Sequence, residues 1–196
     1  MIPDEKMIKE LQEILELKYG KKLTCEECRG AAFNLLNYYE ALYTMAKKEY
    51  SRKQRLIHEP KGFHLMDGTY SCCICGINIT GDQSWYDKYG NKCLFCQKAV
   101  DKRIIPVSAC KNRDSWYSKW ELNQYYGIKE LSIPKLLNLR KLKARVILDE
   151  TNKPYFYVFL VKENAVFPKS KPEYRFTQTG ESSFRVESPE LQKLPI

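Results

Sequence analysis

Two pairs of cysteines constrain this 196-residue chain more than any other feature. Two residues separate the cysteines within each pair, and 17 residues separate the two pairs. Cysteines at this spacing can direct both thiolates at one metal ion, and two such pairs complete a tetrahedral ligand set. The pattern predicts a zinc site, with Zn²⁺ as the cofactor and the ligands Cys72, Cys75, Cys93 and Cys96. Because four thiolates leave no coordination position for a catalytic water, we expect a structural site.

Three alternatives accompany this prediction. Cys73 is an alternative ligand to Cys72, although the resulting Cys-x-Cys spacing is less usual for a zinc knuckle. An iron-only electron-transfer site, as in rubredoxin, also uses two such pairs. Gly76 after the first pair fits that site, whereas Gln97 stands where the second glycine is expected. A zinc-supported His-Asn-His nuclease is disfavoured, because both histidines of the chain precede the first cysteine pair.

The segment from residue 66 to residue 105 has its own character. Turn signals at Gly81-Asp82 and Gly90-Asn91 punctuate an aromatic stretch between the cysteine pairs, and a short helical pattern follows Cys96. Knuckle, hairpin and helix in this order resemble a treble-clef zinc finger over residues 70–105, with a zinc ribbon as the alternative. The segment has few apolar residues, so the metal is expected to hold it together.

The first 62 residues predict a helical hairpin. Apolar residues recur at three- and four-residue spacing before Gly20, which marks a helix end. Thr24 and Glu27 then form a capping box ahead of a second apolar stripe over residues 31–46. This stripe predicts a core or a dimerisation face, and we expect a homodimer through these helices.

Cys25 and Cys28 lie at the start of the second predicted helix. A helix N-terminus can lower the pKa of a thiol, but the intervening Glu26 and Glu27 oppose that effect. Packing or solvent exposure is the favoured interpretation of this pair, and a second metal site or redox chemistry stays open.

Basic residues are concentrated in two blocks of the chain, whose formal net charge is +9. Residues 43–64 contain six basic and two acidic side chains, and residues 111–145 contain nine basic and three acidic ones. These blocks carry +4 and +6, so a polyanion such as DNA or RNA is the natural partner. A solvated basic face that only maintains solubility is the alternative.

Residues 119–138 match the pattern of a helix-turn-helix with Gly127 as the turn glycine. Ser118 and Glu121 form a capping box before the first helix. Pro134 falls in the first turn of the second helix, where its missing N–H costs nothing. The five positions that pack the two helices together are all apolar, namely Leu122, Tyr126, Ile128, Ile133 and Leu136.

Two β-rich runs around a polar turn follow the second helix and predict a hairpin, or wing. The order of helix, turn, helix and wing over residues 117–161 resembles the winged helix-turn-helix of the MerR and phage excisionase group. That resemblance implies DNA binding, with the second helix in the major groove and the wing on the backbone or in the minor groove.

The second helix is predicted to span about Ile133 to Lys141. Its outward polar side chains are candidates for contacts with base edges, and they are Ser132, Lys135 and Asn138. The surrounding cations are candidates for phosphate contacts, and they are Lys129, Arg140, Lys141, Lys143 and Arg145.

These observations predict an α+β protein of several modules. Residues 1–62 form a helical hairpin, 66–105 a four-cysteine zinc finger, 114–163 a winged helix-turn-helix and 164–196 an extended tail with short strands near 174–176 and 184–186. The expected function is sequence-specific binding of double-stranded DNA, as a regulator or an excisionase-like accessory factor of recombination. A recombinase or a transcription protein is then an expected partner. Because the sequence contains no recognisable catalytic constellation, we do not expect an enzyme.

Two other functions fit parts of the sequence. An RNA-binding or ribonucleoprotein role would use the zinc finger, the 14 tyrosines and the basic residues 47–61 on single strands. A protein-binding adaptor would use the zinc finger and the apolar helix without nucleic acid. The chain has neither a signal-peptide pattern nor an apolar run long enough to span a membrane, so we expect it in the cytoplasm with reduced cysteines.

Overall fold

The computed structural model describes residues 3–20, 22–168, 170–178 and 184–195. It has mixed α and β structure and divides into two units, Met1–Pro60 and Lys61–Ile196. None of the helices in the described ranges has the length and apolar content that a membrane span needs.

The N-terminal unit is a hairpin of two helices, α1 (Glu5–Tyr19) and α2 (Cys25–His58), as predicted. The α1 helix ends at Gly20, whose φ of 66° is accessible to glycine at little cost. The predicted capping box is present at the start of α2, where the Glu27 N–H donates to the Thr24 hydroxyl and the Thr24 N–H donates to the Glu27 carboxylate. The buried core of this unit is small and consists of Ile8, Cys28 and Ala32.

The four-cysteine segment contains two antiparallel hairpins followed by a helix. Strands β1 (Thr69–Ser71) and β2 (Asn78–Thr80) pair with each other, as do β3 (Ser84–Asp87) and β4 (Gly90–Cys93). Helix α3 (Leu94–Asp101) begins directly after β4. The order of knuckle, hairpin and helix is therefore the predicted one.

A three-stranded sheet and two helices follow the short helix α4 (Ser108–Lys111). The antiparallel sheet has the order β5-β7-β6, and its strands are β5 (Trp116–Tyr117), β6 (Arg145–Leu148) and β7 (Pro154–Leu160). Helices α5 (Lys119–Tyr126) and α6 (Ile133–Asn138) lie between β5 and β6 in the chain. The β6–β7 hairpin pairs Val146 with Tyr157 and Ile147 with Phe156.

Helix α6 is shorter than predicted, because it ends at Asn138 and not near Lys141. Arg140 adopts a φ of 55°, and the Lys141 N–H donates to the Leu136 carbonyl at 2.9 Å. This left-handed C-cap turns the chain so that Leu142 is buried in the core. This position usually holds glycine, and because it holds an arginine here the sequence did not indicate that the helix ends.

The central sheet connects the four-cysteine segment with the helices. Alternate residues of β7 point to opposite faces. Val158 and Leu160 belong to the core that contains the cysteines, while Phe159 belongs to the core beneath α5. Ile105 and Trp116 lie at the two ends of the connection between the four-cysteine segment and α5, and both are buried. The indole N–H of Trp116 donates to the Ala109 carbonyl. The four-cysteine segment and the helices thus pack on opposite faces of one sheet.

The C-terminal segment includes the two short strands expected from its sequence. Strands β8 (Arg175–Gln178) and β9 (Phe184–Glu187) pair antiparallel, and residues 179–183 between them lie outside the described residues. The segment also packs on α5, because Phe167 is buried and its ring stacks on that of Tyr126, with 5.9 Å between centroids.

Candidate metal centre and nucleic-acid interface

Each cysteine pair begins where a strand ends, and the first pair continues into a tight turn whereas the second continues into the first turn of α3. In the first pair, the Cys72 N–H donates to the Ile77 carbonyl and the Gly76 N–H donates to the Cys72 carbonyl. Gly76 has a φ of 75°, a conformation that favours glycine after the second cysteine. In the second pair, Cys93 is the N-cap of α3, and its Sγ accepts a hydrogen bond from the Cys96 N–H. Local backbone geometry therefore brings the thiols of each pair together.

The four thiols converge on one point. The Sγ atoms of Cys72, Cys75, Cys93 and Cys96 all lie within 4.8 Å of one another, and those of Cys75 and Cys93 are 3.8 Å apart. Metal–sulfur bonds of about 2.3 Å in a tetrahedron place neighbouring sulfurs about 3.8 Å apart. The donor set therefore fits a tetrahedral metal ion. Cys73 lies outside this group and interacts with Cys110.

The electrostatics of the four thiols also favour a cation. Hydrogen bonds from Cys75, Cys93 and Cys96 lower the pKa of Cys72 below its usual range. The contact with Cys72, together with those from the other two cysteines and burial, raises the pKa of Cys96. The thiolate of Cys72 is thus stabilised by its neighbours, while ionisation of the Cys96 thiol is opposed. A bound cation would remove that opposition and allow all four sulfurs to act as ligands.

Tyr155 of β7 connects the metal centre to the central sheet. Its hydroxyl lies 3.4 Å from the Cys75 Sγ, and its ring packs against that of Phe95, with 4.9 Å between centroids. Burial is the largest cause that raises the pKa of Tyr155, so the hydroxyl stays protonated and can donate to a thiolate. Sequence reasoning missed this residue, because 80 positions separate it from Cys75 and no spacing rule links them.

A buried ion pair closes the hairpin that leads to the second cysteine pair. The fully buried Lys92 Nζ donates to the Asp87 carboxylate at 2.6 Å and to the Gly90 carbonyl at 2.9 Å. These two bonds compensate the desolvation of the ammonium group.

The apolar positions expected between α5 and α6 are occupied as the sequence predicts. Four of them are buried and Leu136 is half-buried; the buried ones are Leu122, Tyr126, Ile128 and Ile133. The capping box of α5 is also present, with the Ser118 N–H donating to the Glu121 carboxylate at 2.8 Å.

Glu121 is the centre of a buried ionic cluster. Lys171 donates to its carboxylate at 2.7 Å, and Arg113 donates to the other carboxylate oxygen. Burial alone would raise the pKa of Glu121, but bonds from Lys171, Ser118 and Arg113 lower it overall. Lys171 lies 50 positions away in the C-terminal segment, so the sequence gave no indication of this contact.

The residues predicted to contact base edges lie on one exposed surface. Pro134 is in the first turn of α6, as expected, and Ile133 is buried against α5. The predicted reading side chains are all exposed, namely Ser132, Lys135 and Asn138.

The predicted phosphate contacts fall into two groups. Four cations are exposed and have no ion-pair partner within the described ranges; they are Lys129, Arg140, Lys141 and Lys143. Arg145 differs, because its guanidinium donates three hydrogen bonds to the Glu163 carboxylate, at 2.6, 3.0 and 3.3 Å. That contact lowers the pKa of Glu163 and raises the pKa of Arg145. The backbone of Lys143 is fixed by Asn164, which accepts from its N–H and donates to its carbonyl.

A groove of about 570 Å³ lies between the first knuckle, the start of α5 and strand β7. Its aromatic and cationic lining comprises Trp120, Tyr155, Phe156, Tyr157, Arg113 and Lys119. Trp120 is 64% exposed, more than any other aromatic residue among the described side chains of the second unit. The Lys119 Nζ lies 4.1 Å from the Tyr157 ring centroid and 2.7 Å from the Glu130 carboxylate.

This chain has three candidate functional features among its described residues, namely the cluster of four cysteines, the exposed face of α6 and the aromatic groove. Comparison of the chain with models of protein families, with curated proteins and with solved structures found no match.

Proposed function

We propose that this protein binds double-stranded DNA in a sequence-specific manner, with α6 in the major groove and a structural Zn²⁺ on the four cysteines. The observation that carries the proposal is the exposed surface of α6, where a hydroxyl, an ammonium and an amide recur every third residue. Side chains of these types form hydrogen bonds with base edges in the major groove. A transcription regulator and an excisionase-like accessory factor would both use this activity.

The order of elements supports the proposal. A capped helix, a turn at Gly127, a second helix and a β-hairpin follow one another as they do in winged helix-turn-helix proteins. Ile133 anchors α6 to α5 and leaves the opposite side of the helix open to solvent. A helix held in this way can enter the major groove without repacking.

The exposed cations around α6 would supply phosphate contacts. Lys129 precedes the helix, and Arg140, Lys141 and Lys143 follow it, so positive charge flanks the reading face at both ends. Arg145 is committed to Glu163, and we assign it to holding the hairpin in position. Four phosphate contacts predict a salt slope of about −3 to −4 in a plot of log K against log salt.

Zinc is the metal we propose for Cys72, Cys75, Cys93 and Cys96. The four-sulfur set leaves no open position, so the metal would act by fixing the two knuckles and the sheet behind them. Iron would also accept four thiolates, and the two metals differ in a simple measurement. A colourless protein with one equivalent of zinc supports the proposal, whereas a red protein with bound iron contradicts it.

A duplex selection tests the DNA proposal. Zinc-loaded full-length protein is incubated with random duplexes, and the enriched sequences are compared with those from Lys135→Ala and Asn138→Ala. We expect a motif that loses definition in both variants. Lys98→Ala removes the same charge from an exposed position of α3 and serves as the matched control. We expect it to leave the motif unchanged. Weak binding without a motif, unaltered in all variants, would contradict a reading role for α6.

The aromatic groove favours a second candidate function, binding of single-stranded nucleic acid. Bases stack on exposed aromatic rings, and Trp120 offers such a ring beside Lys119. Titration of the protein with single-stranded RNA, single-stranded DNA or duplex DNA, followed by tryptophan fluorescence, separates the candidates. Quenching by single strands that disappears in Trp120→Phe favours the groove. Preferential competition by duplex DNA favours α6.

A further inference from the structure

Among the described residues of the N-terminal unit, none of those that form its buried core lies in the second half of α2. The buried residues of this unit lie no further along α2 than Ala32, and none of residues 33–58 is buried. These 26 residues extend over about 39 Å at 1.5 Å per residue. An isolated helix of this kind is only marginally stable in water, since most helices depend on the packing of one apolar face.

This part of α2 carries an apolar stripe with the spacing of a coiled coil. The stripe, here called the tyrosine stripe, consists of Leu36, Tyr39, Tyr43, Ala46, Tyr50 and Ile57. These residues alternate at three- and four-residue intervals, apart from Lys53, which occupies the position between the last two. Tyr43, Tyr50 and Ile57 are 69%, 64% and 69% exposed. A sustained seven-residue repeat with exposed aromatic side chains is typical of a helix that pairs with another helix.

We infer that the tyrosine stripe binds the same stripe of a second copy of this chain, in an antiparallel orientation. The exposed aromatic and aliphatic side chains offer roughly 500–700 Å² per copy, taking about 150–250 Å² for a whole aromatic side chain. Two copies would then bury roughly 1,000–1,400 Å², which reaches the size of specific, stable interfaces. A symmetric pair also satisfies both copies with one surface.

The order of side chains along the stripe selects the orientation. In an antiparallel pair centred between Thr44 and Met45, Tyr43 faces Ala46 of the second copy, so a large side chain meets a small one. The same alignment places Tyr39 opposite Tyr50 and Leu36 opposite Lys53, and it leaves Ile57 beyond the stripe of the other copy. A parallel pair would instead place Ala46 against Ala46 and Lys53 against Lys53, which leaves a gap and opposes like charges.

Charges beside the stripe agree with the antiparallel alignment. Glu40 of each copy would lie beside Lys47 of the other, at two symmetric places. In a parallel pair these residues would not face each other, since they occupy equivalent positions in successive repeats. Lys53 is already paired with Glu49 of its own helix, with 2.8 Å between Nζ and Oε1, and can extend its ammonium group to solvent at the edge of the interface.

Sedimentation of the full-length protein across a micromolar concentration series tests the surface. We expect a dimer whose dissociation constant rises about tenfold or more in Tyr43→Glu, because a carboxylate would enter the interface. Tyr38→Glu makes the same change off the stripe, at a side chain 60% exposed, and should leave the dimer intact. Circular dichroism verifies that both variants stay helical. A monomer at every concentration, or a dimer insensitive to Tyr43→Glu, would overturn the inference.

A charge-reversal pair tests the orientation. Glu40→Lys places two lysines beside each other at two symmetric places near the centre of the antiparallel interface, and we expect about tenfold weaker dimerisation at low salt. The double variant Glu40→Lys/Lys47→Glu exchanges the two charges and should restore the wild-type dissociation constant. Lack of restoration would overturn the antiparallel alignment. These measurements contain no DNA, so their outcome is separate from that of the duplex selection.

Discussion

The two units of this protein are stabilised in different ways. Three buried residues form the described apolar core of the N-terminal unit, and ion pairs such as Glu49 with Lys53 join neighbours on one helix. The second unit has two apolar cores on either side of one sheet, and it is held by contacts between residues that are far apart in the sequence. We therefore expect the second unit to be stabilised by its own cores and by the proposed metal, and the long helix of the first unit to depend on the proposed pairing.

Loss of a metal ligand should give the largest difference between the two units, because it should unfold the second unit and leave the first folded. Structural zinc contributes on the order of 10 kcal/mol to the folding of small zinc domains, comparable to the whole stability of a domain of this size. We expect Cys96→Ser, or a strong chelator, to abolish the near-ultraviolet circular dichroism of the buried Trp116 while α1 and α2 stay helical.

The control for this experiment is Cys25→Ser, which changes an exposed thiol outside the cluster. It should leave both the metal content and the tryptophan signal unchanged. Simultaneous loss of all helical signal on chelation would contradict the difference in stabilisation between the units.

Loss of a buried charge partner should have the next largest effect. Asp87→Ala leaves the ammonium of Lys92 buried without a counter-ion, and we expect the free energy of unfolding of the second unit to fall by about 3 kcal/mol. Glu49→Ala breaks an exposed pair of the N-terminal unit and serves as the matched control, with little change in stability. Denaturant unfolding of both variants provides the measurement. Equal effects would show that burial does not distinguish the two ion pairs.

Tyr155→Phe tests the connection between the sheet and the metal centre. The variant keeps the ring contact with Phe95 but removes the hydroxyl that lies 3.4 Å from the Cys75 Sγ. Loss of a hydrogen bond to a metal ligand typically weakens metal binding about 10-fold or more. We expect that change in a competition titration with a chelating dye. Tyr157→Phe, two residues along the same strand, should retain the wild-type metal affinity.

Features set by short stretches of sequence were predictable. The two capping boxes, the glycine that ends α1 and the convergence of each cysteine pair depend on residues three or four positions apart. The apolar positions between α5 and α6 were predictable because helix packing repeats at fixed spacing. The contacts of Tyr155 with Cys75 and of Lys171 with Glu121 were not predictable, since they depend on how the sheet and the C-terminal segment fold back.

The smallest expected effect concerns the ion pair between Arg145 and Glu163, which lies beside the proposed DNA-binding surface. Glu163→Gln keeps the size of the side chain but removes the charge that holds the guanidinium. If Arg145 then becomes available to phosphate, duplex affinity should rise a few-fold at low salt, and the salt slope should steepen by about one. Glu150→Gln removes the same charge at the exposed turn of the hairpin and should leave the slope unchanged. Weaker binding by Glu163→Gln would instead mean that the ion pair positions the hairpin against DNA, because the loss of a negative charge alone cannot reduce affinity for a polyanion.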